Sequence, residues 1–149
     1  MKRSAVAVWK GGPGAGEGSV STPSGVINKV LYSFSSGTGN EPCTSPSEML
    51  AAAVASCTSL MVAQEMVRAG IHEDYVQTEC VLTLEEHKNR WEIGGVELNV
   101  TSTGPAELTE RFLEACKKAK HRCPISSALK VPIKLTAALQ PLAEAVSAR

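Results

Sequence analysis

The chain has 149 residues, enough for one domain of ordinary size and too few for a second independent core. Lys plus Arg and Asp plus Glu both total 15, for zero formal net charge, and no segment gathers enough basic residues to follow a phosphate backbone, so nucleic acid is excluded as the expected partner. With only two each of Phe, Tyr and Trp, the core must be built from Ala, Val, Leu, Ile and Met.

At the N-terminus, MKRSAVAVWKGG offers an apolar stretch only from Ala5 to Trp9, too short for a signal-peptide core. AVAVWKGG, GEGSVSTPSG and VINKVLYSF are short β-branched runs separated by Gly and Pro-Ser-Gly breakers, the pattern of a strand meander. A loop is expected from Gly37 to Pro42.

Ser45-Pro46-Ser47-Glu48 then combines an N-cap serine, a proline at the first helical position and a glutamate three residues after the cap. The helix is predicted to reach about Ala69, with Gly70 as its C-cap. Its middle is apolar on every face, which predicts a central, buried helix. The apolar run from Met49 to Ala63 falls short of the ~20 residues of a membrane span. A cytoplasmic protein without a membrane partner is expected, in a compartment that keeps thiols reduced.

Val76, Thr78, Cys80, Leu82 and Leu84 alternate with polar residues as in a half-buried strand. His87-Lys88-Asn89 turns the chain, and in the following strand the buried parity shifts across Gly94-Gly95, as a bulge requires. A second helix carries the stripe Leu108, Phe112, Ala115, Cys116 and Ala119. Cys123-Pro124 ends it and starts a short helix, and Val131, Ile133, Leu135, Ala137 and Leu139 alternate as a last strand. The sum is an α+β domain over 1–149.

Five cysteines carry the candidate chemistry, and an odd number disfavours a fully paired secreted framework. Cys80 and Cys116 fall on apolar faces and suit inert packing. Cys43 lies in a loop, open to incidental oxidation. Cys57 sits in the apolar helix, where desolvation favours the thiol. Cys123 has the better local setting for a thiolate, with a helix start and Arg122 beside it. His72, His87 and His121 show no ligand spacing and no C-x-x-C occurs, so no metal is expected.

AVWKGGPGAGEGSVSTPSGV, YSF, SPSEMLAAAVASCTSL and AKHRCPISSAL, in this order, resemble the OsmC/Ohr family of bacterial thiol peroxidases, nearer its OsmC branch. The resemblance implies an intertwined homodimer in which antiparallel sheets wrap around central cysteine-bearing helices, with active sites at the subunit interface. It implies an antioxidant peroxidase acting on organic hydroperoxides, with no bound cofactor. Cys57 would attack the peroxide and become a sulfenic acid, Cys123 would resolve it as a disulfide, and a lipoyl-type or thioredoxin-like dithiol would restore both thiols.

The chain departs from that family where the attacking cysteine is activated. The family's arginine follows the Y-x-F segment, and Gly37 stands about there. Its glutamate follows the proline that opens the helix, and here that position is Ser47, with Glu48 one residue later. At about 100° per residue, a group ten positions before Cys57 lies roughly 80° from it, whereas Glu48, nine before, points to the opposite side. Glu48 also suits a capping box. Glu48 and Arg122 therefore stand as candidate activating residues, ahead of Arg111 and Arg90, and Tyr32 and Phe34 read as core or interface. Weak peroxidase activity is expected. The competing readings are a non-catalytic relative that binds a small apolar or thiol-reactive ligand at the dimer interface, and a redox sensor.

Overall fold

The computed structural model describes residues 1–12, 16–33, 42–72 and 75–141. Phe34, Gly37 and the end of the PLAEAVSAR tail lie outside the described residues, as does most of the loop expected before Cys43. The chain groups into two compact units, Met1–Leu50 and Ala51–Arg149. Each is described by itself.

The first unit holds the expected meander: β1 (Val6–Lys10), β2 (Glu17–Ser21) and β3 (Val30–Tyr32), antiparallel in that order. Trp9 and Tyr32 both pair across Gly18, and their rings meet with centroids 6.0 Å apart. A Cβ on Gly18 would come within 2.7 Å of the Tyr32 ring, so the contact requires glycine there. β1 keeps Val6 and Val8 exposed.

The helix α1 (Pro46–Arg68) starts as its sequence signal predicts. The Glu48 amide donates to Ser45 Oγ at 3.2 Å, and the Ser45 amide donates to Glu48 Oε2 at 3.1 Å, a reciprocal capping box. At the far end the Ile71 amide donates to the Met66 carbonyl at 2.9 Å and the Gly70 amide to that of Val67 at 3.0 Å. This is a Schellman closure, and Gly70 adopts the φ of +67° that it needs.

α1 is 23 residues long, and its mean hydropathy of 1.5 would suffice, by length and composition, to cross a bilayer. That exceeds the apolar run read from the sequence, because the helix continues through Gln64 and Glu65 to Arg68. One face, with Val54, Thr58, Val62, Glu65 and Met66, is buried. The expectation of burial all round is corrected: Leu60 and Val67 are 64% and 65% exposed, since a single small chain has too little material to cover every face of so apolar a helix.

In the second unit β4 (Val76–His87) and β5 (Arg90–Thr103) form a long antiparallel hairpin. Lys88 and Asn89 turn it with φ of 51° and 63°, the left-handed pair that suits the right-handed twist of the strands. Thr83 pairs with Gly95 and Leu84 with Ile93, leaving Gly94 as the bulged residue expected there.

After a 3-10 turn at Ala106–Leu108, α2 (Thr109–Arg122) and α3 (Pro124–Ala128) lead to β6 (Ile133–Gln140). β6 pairs with β5 in parallel, which corrects the expectation of purely antiparallel sheets. The helical crossover returns the chain to the end of the sheet from which β5 started, and parallel pairing needs such a connection. The stripe of α2 (Phe112, Ala115, Cys116 and Ala119) packs with Val62, Met66, Ile71 and Val100 as the core of this unit. The architecture is α+β.

Candidate functional site

Cys123 is placed by the junction between two helices. Its amide closes α2 by donating to the Ala119 carbonyl at 2.9 Å. Its ψ of 113° then takes the backbone out of the helical region, and Pro124 opens α3. The cysteine so becomes the N-cap of α3, and its sulfur accepts the Ser126 amide at 3.4 Å, the role usually filled by a serine or aspartate oxygen.

Cys57, on α1, is half-buried, while Cys123 is fully buried. Cys57 and Cys123 lie close enough for each to shift the other's titration, and the amide of Ile125 acts on both. Cys80 is half-buried and Cys116 fully buried, each with its thiol raised by burial, that of Cys116 to about 12. Cys43 lies 3.4 Å from the Ser33 hydroxyl in the first unit.

The two sulfurs of the pair differ in charge. Burial pushes the Cys57 thiol up, its hydrogen bond with Cys123 pushes it further, and the Ile125 amide offsets only part of this. Burial would raise Cys123 as well. There it is outweighed by the Ser126 hydroxyl and amide, the Cys57 thiol and the Ile125 amide, which hold Cys123 below the ordinary thiol value. In the reduced pair Cys57 keeps the proton more firmly, and Cys123 carries negative charge more readily.

Ser126 was missed in the sequence. Its residue is 3% exposed, and its hydroxyl is buried with no hydrogen-bond partner among the described residues, although it lies near enough to the Cys123 sulfur to lower that thiol. The signal was present: a polar residue three positions after an N-cap has its amide directed at the capping side chain.

Arg122, adjacent to Cys123 in sequence, is engaged elsewhere. Its Nη1 lies 2.7 Å from Glu65 Oε1. Burial opposes the Glu65 charge, but hydrogen bonds and attraction from Arg68 and Arg122 outweigh that and lower its carboxyl. Apart from the charge of Cys123 acting on Cys57, the groups that shift the two sulfurs include no Arg, Lys, His, Asp or Glu among the described residues. Glu48 lies in the capping box of α1 and also accepts from the Thr44 hydroxyl at 3.0 Å. Arg111 donates to the Ala69 carbonyl, and Arg90 pairs with Glu92 at 2.9 Å on the surface. Tyr32 stacks with Trp9 in the first unit.

His72 and His121 are exposed, and His87 lies 3.2 Å from Glu85. Among the described residues no group of three or more His, Cys, Asp or Glu is arranged to hold a metal ion. The chemistry within reach is therefore that of a dithiol, in which two neighbouring sulfurs can join by losing two electrons and two protons.

Comparison with known proteins finds a matching family and similar chains. The family of OsmC-like proteins matches residues 37–138. The chain is 32% identical to peroxiredoxin OsmC of Escherichia coli K12 over 127 residues, 85% of this chain and 89% of that protein. Among solved structures, an OsmC-like protein of Mycoplasma pneumoniae superposes with a TM-score of 0.76 at 12% identity, covering 94% of this chain and 98% of that one. The organic hydroperoxide resistance protein OhrB of Bacillus subtilis gives 0.67 at 21%, covering 92% and 98%.

Proposed function

The chain belongs to the OsmC-like family, and from that premise we propose that it is a thiol-dependent peroxidase that reduces organic hydroperoxides to alcohols. The observation that supports the reading is that Cys57 and Cys123, 66 positions apart on α1 and at the start of α3, lie close enough to shift each other's titration.

The Cys57 thiolate attacks the peroxide, the O–O bond breaks, and the alkoxide takes a proton to leave as alcohol. Cys57 is then a sulfenic acid. The Cys123 thiolate attacks its sulfur, the S–O bond breaks and hydroxide departs, taking a proton from solvent to become water and leaving the Cys57–Cys123 disulfide. Cys123 suits this second step because its thiolate is held below the ordinary thiol value. A dithiol, lipoyl-type or thioredoxin-like, returns two electrons by exchange and needs no cofactor on this chain.

Cys57 is the limiting group. Its thiol is raised, so only a small fraction is thiolate at neutral pH and turnover is slow. The same raised thiol favours the competing reading, a non-catalytic protein that holds a small apolar or thiol-reactive ligand.

The exposed apolar residues Leu60 and Val67 of α1, with Val6 and Val8 of β1, support assembly as a homodimer, since a partner copy would remove them from water. Packing of Val62 and Met66 into the core, with Glu65 buried and ion-paired on the same helix, supports reading α1 as a core helix and the protein as cytoplasmic.

The test is consumption of cumene hydroperoxide and of hydrogen peroxide by the reduced protein with dihydrolipoamide, repeated with Cys57→Ser and Cys123→Ser. Faster consumption of cumene hydroperoxide that depends on Cys57 is expected. Absence of turnover in the parent, or turnover untouched by Cys57→Ser, contradicts the peroxidase reading and leaves the ligand-binding one.

A further inference from the structure

The two sulfurs of the pair are unequal in access and in their ability to leave. Cys57 is partly exposed and Cys123 is fully buried, so a thiol arriving from solvent meets Cys57 first. The Cys123 sulfur, in contrast, accepts the Ser126 amide at 3.4 Å, and the hydroxyl of the same residue is buried beside it with no hydrogen-bond partner among the described residues, able to turn to a thiolate formed there. In thiol–disulfide exchange the sulfur that leaves as the better-stabilised thiolate leaves faster, and access decides which sulfur is attacked. Both factors select the same direction.

We propose that reduction of the Cys57–Cys123 disulfide begins at Cys57, and that Ser126 is the positioning residue that receives Cys123 as the departing thiolate. The inference rests on the reading above, in which the disulfide forms in the catalytic cycle. One thiolate of the dithiol bonds to the Cys57 sulfur, the S–S bond to Cys123 breaks, and its electron pair stays on Cys123, where the Ser126 amide and hydroxyl donate to it. The second thiolate of the dithiol then attacks its own sulfur in the mixed disulfide. Cys57 is expelled and takes a proton from solvent, consistent with its raised thiol. The dithiol ends as a disulfide and the protein as a dithiol, so two electrons have passed.

The charged groups on the flanking helices leave this role to Ser126. On α1, Glu65 pairs with Arg68 and Arg122. On α2, Lys120 donates to the Ile133 carbonyl at 2.6 Å, and His121 is exposed. α3 carries no charged residue.

The experiment uses the full chain oxidised with diamide, so that no peroxide chemistry is needed. The disulfide protein is mixed briefly with glutathione, quenched with acid, and the glutathionylated cysteine is located by mass spectrometry; reduction by dihydrolipoamide is timed in parallel. Glutathione is expected on Cys57. Ser126→Ala is expected to slow reduction roughly tenfold at neutral pH, the effect of losing one hydrogen bond to a developing anion, and Ser126→Thr to restore most of the rate. Glutathione on Cys123, or an unchanged rate in Ser126→Ala, overturns the proposal. Should Ser126→Ala not fold, the position of glutathione on the parent protein decides. Failure of the peroxidase reading shows separately, as absence of peroxide consumption by a protein whose diamide-formed disulfide still exchanges.

Discussion

The Arg122 guanidinium at the end of α2 reaches the buried Glu65 carboxylate of α1, with 2.7 Å between Nη1 and Oε1. Arg122 immediately precedes Cys123, so this ion pair ties the segment that carries Cys123 to the helix that carries Cys57. Its electrostatics also fix a pH dependence. The Glu65 carboxyl is lowered in the folded chain from 4.5, so the unfolded chain binds the proton more readily. The resulting stabilisation is present above about pH 4.5 and is lost as pH falls through the lower, folded value. Thermal melts of the parent and Glu65→Gln should differ at pH 7 and converge in acid. A constant difference at all pH values contradicts this account.

The raised Cys57 thiol sets a pH dependence for activity, which also rises with pH but over a more alkaline range. With the thiol raised by burial and by Cys123, the thiolate fraction, and with it the initial rate of peroxide consumption, should climb about tenfold per pH unit between about pH 7 and about pH 8. Stopped-flow measurement of the first turnover checks this, and a flat profile would mean that a group outside the described contacts ionises Cys57.

Phe112 is fully buried in the core of the second unit beside Val62, Met66 and Ile71. Phe112→Ala removes a large side chain from a packed site and should cost about 3–5 kcal/mol in denaturant unfolding. A loss below about 1 kcal/mol would show that the core collapses around the cavity.

Ser45 supports the start of α1 through two hydrogen bonds with Glu48. Ser45→Ala should lower stability by about 0.5–2 kcal/mol. Urea unfolding followed by circular dichroism measures it, and an unchanged midpoint would show that Thr44 and Glu48 hold the turn without the cap.

Much of the fold was legible because its signals are local. The Ser45-Pro46-Ser47-Glu48 start of α1, the Gly70 stop, the Gly94 bulge and the α2 stripe each depend on residues within a turn or two of one another. What stayed hidden depends on pairing over distance. Nothing near Glu65 in sequence announces its ion pair, because its partner Arg122 lies 57 positions away. For the same reason Arg122 read as a charge available to Cys123. The direction of β6 is absent from a period-2 pattern, which is the same for parallel and antiparallel strands. The roles of Cys57 as attacker and Cys123 as resolver come from the family resemblance, whereas local context favours Cys123 as the reactive thiol. The contacts explain that split, since Ser126 lowers Cys123 and burial raises Cys57.

The central claim is that Cys57 and Cys123 close into a disulfide when the protein reduces an organic hydroperoxide. The most direct measurement adds one equivalent of cumene hydroperoxide to the fully reduced protein, blocks the remaining thiols by alkylation, and maps the peptides by mass spectrometry without reduction. The account predicts a single cross-linked species joining the Cys57 and Cys123 peptides, with Cys43, Cys80 and Cys116 recovered as free thiols. A different pairing, or Cys57 recovered as an unreacted thiol, would contradict it.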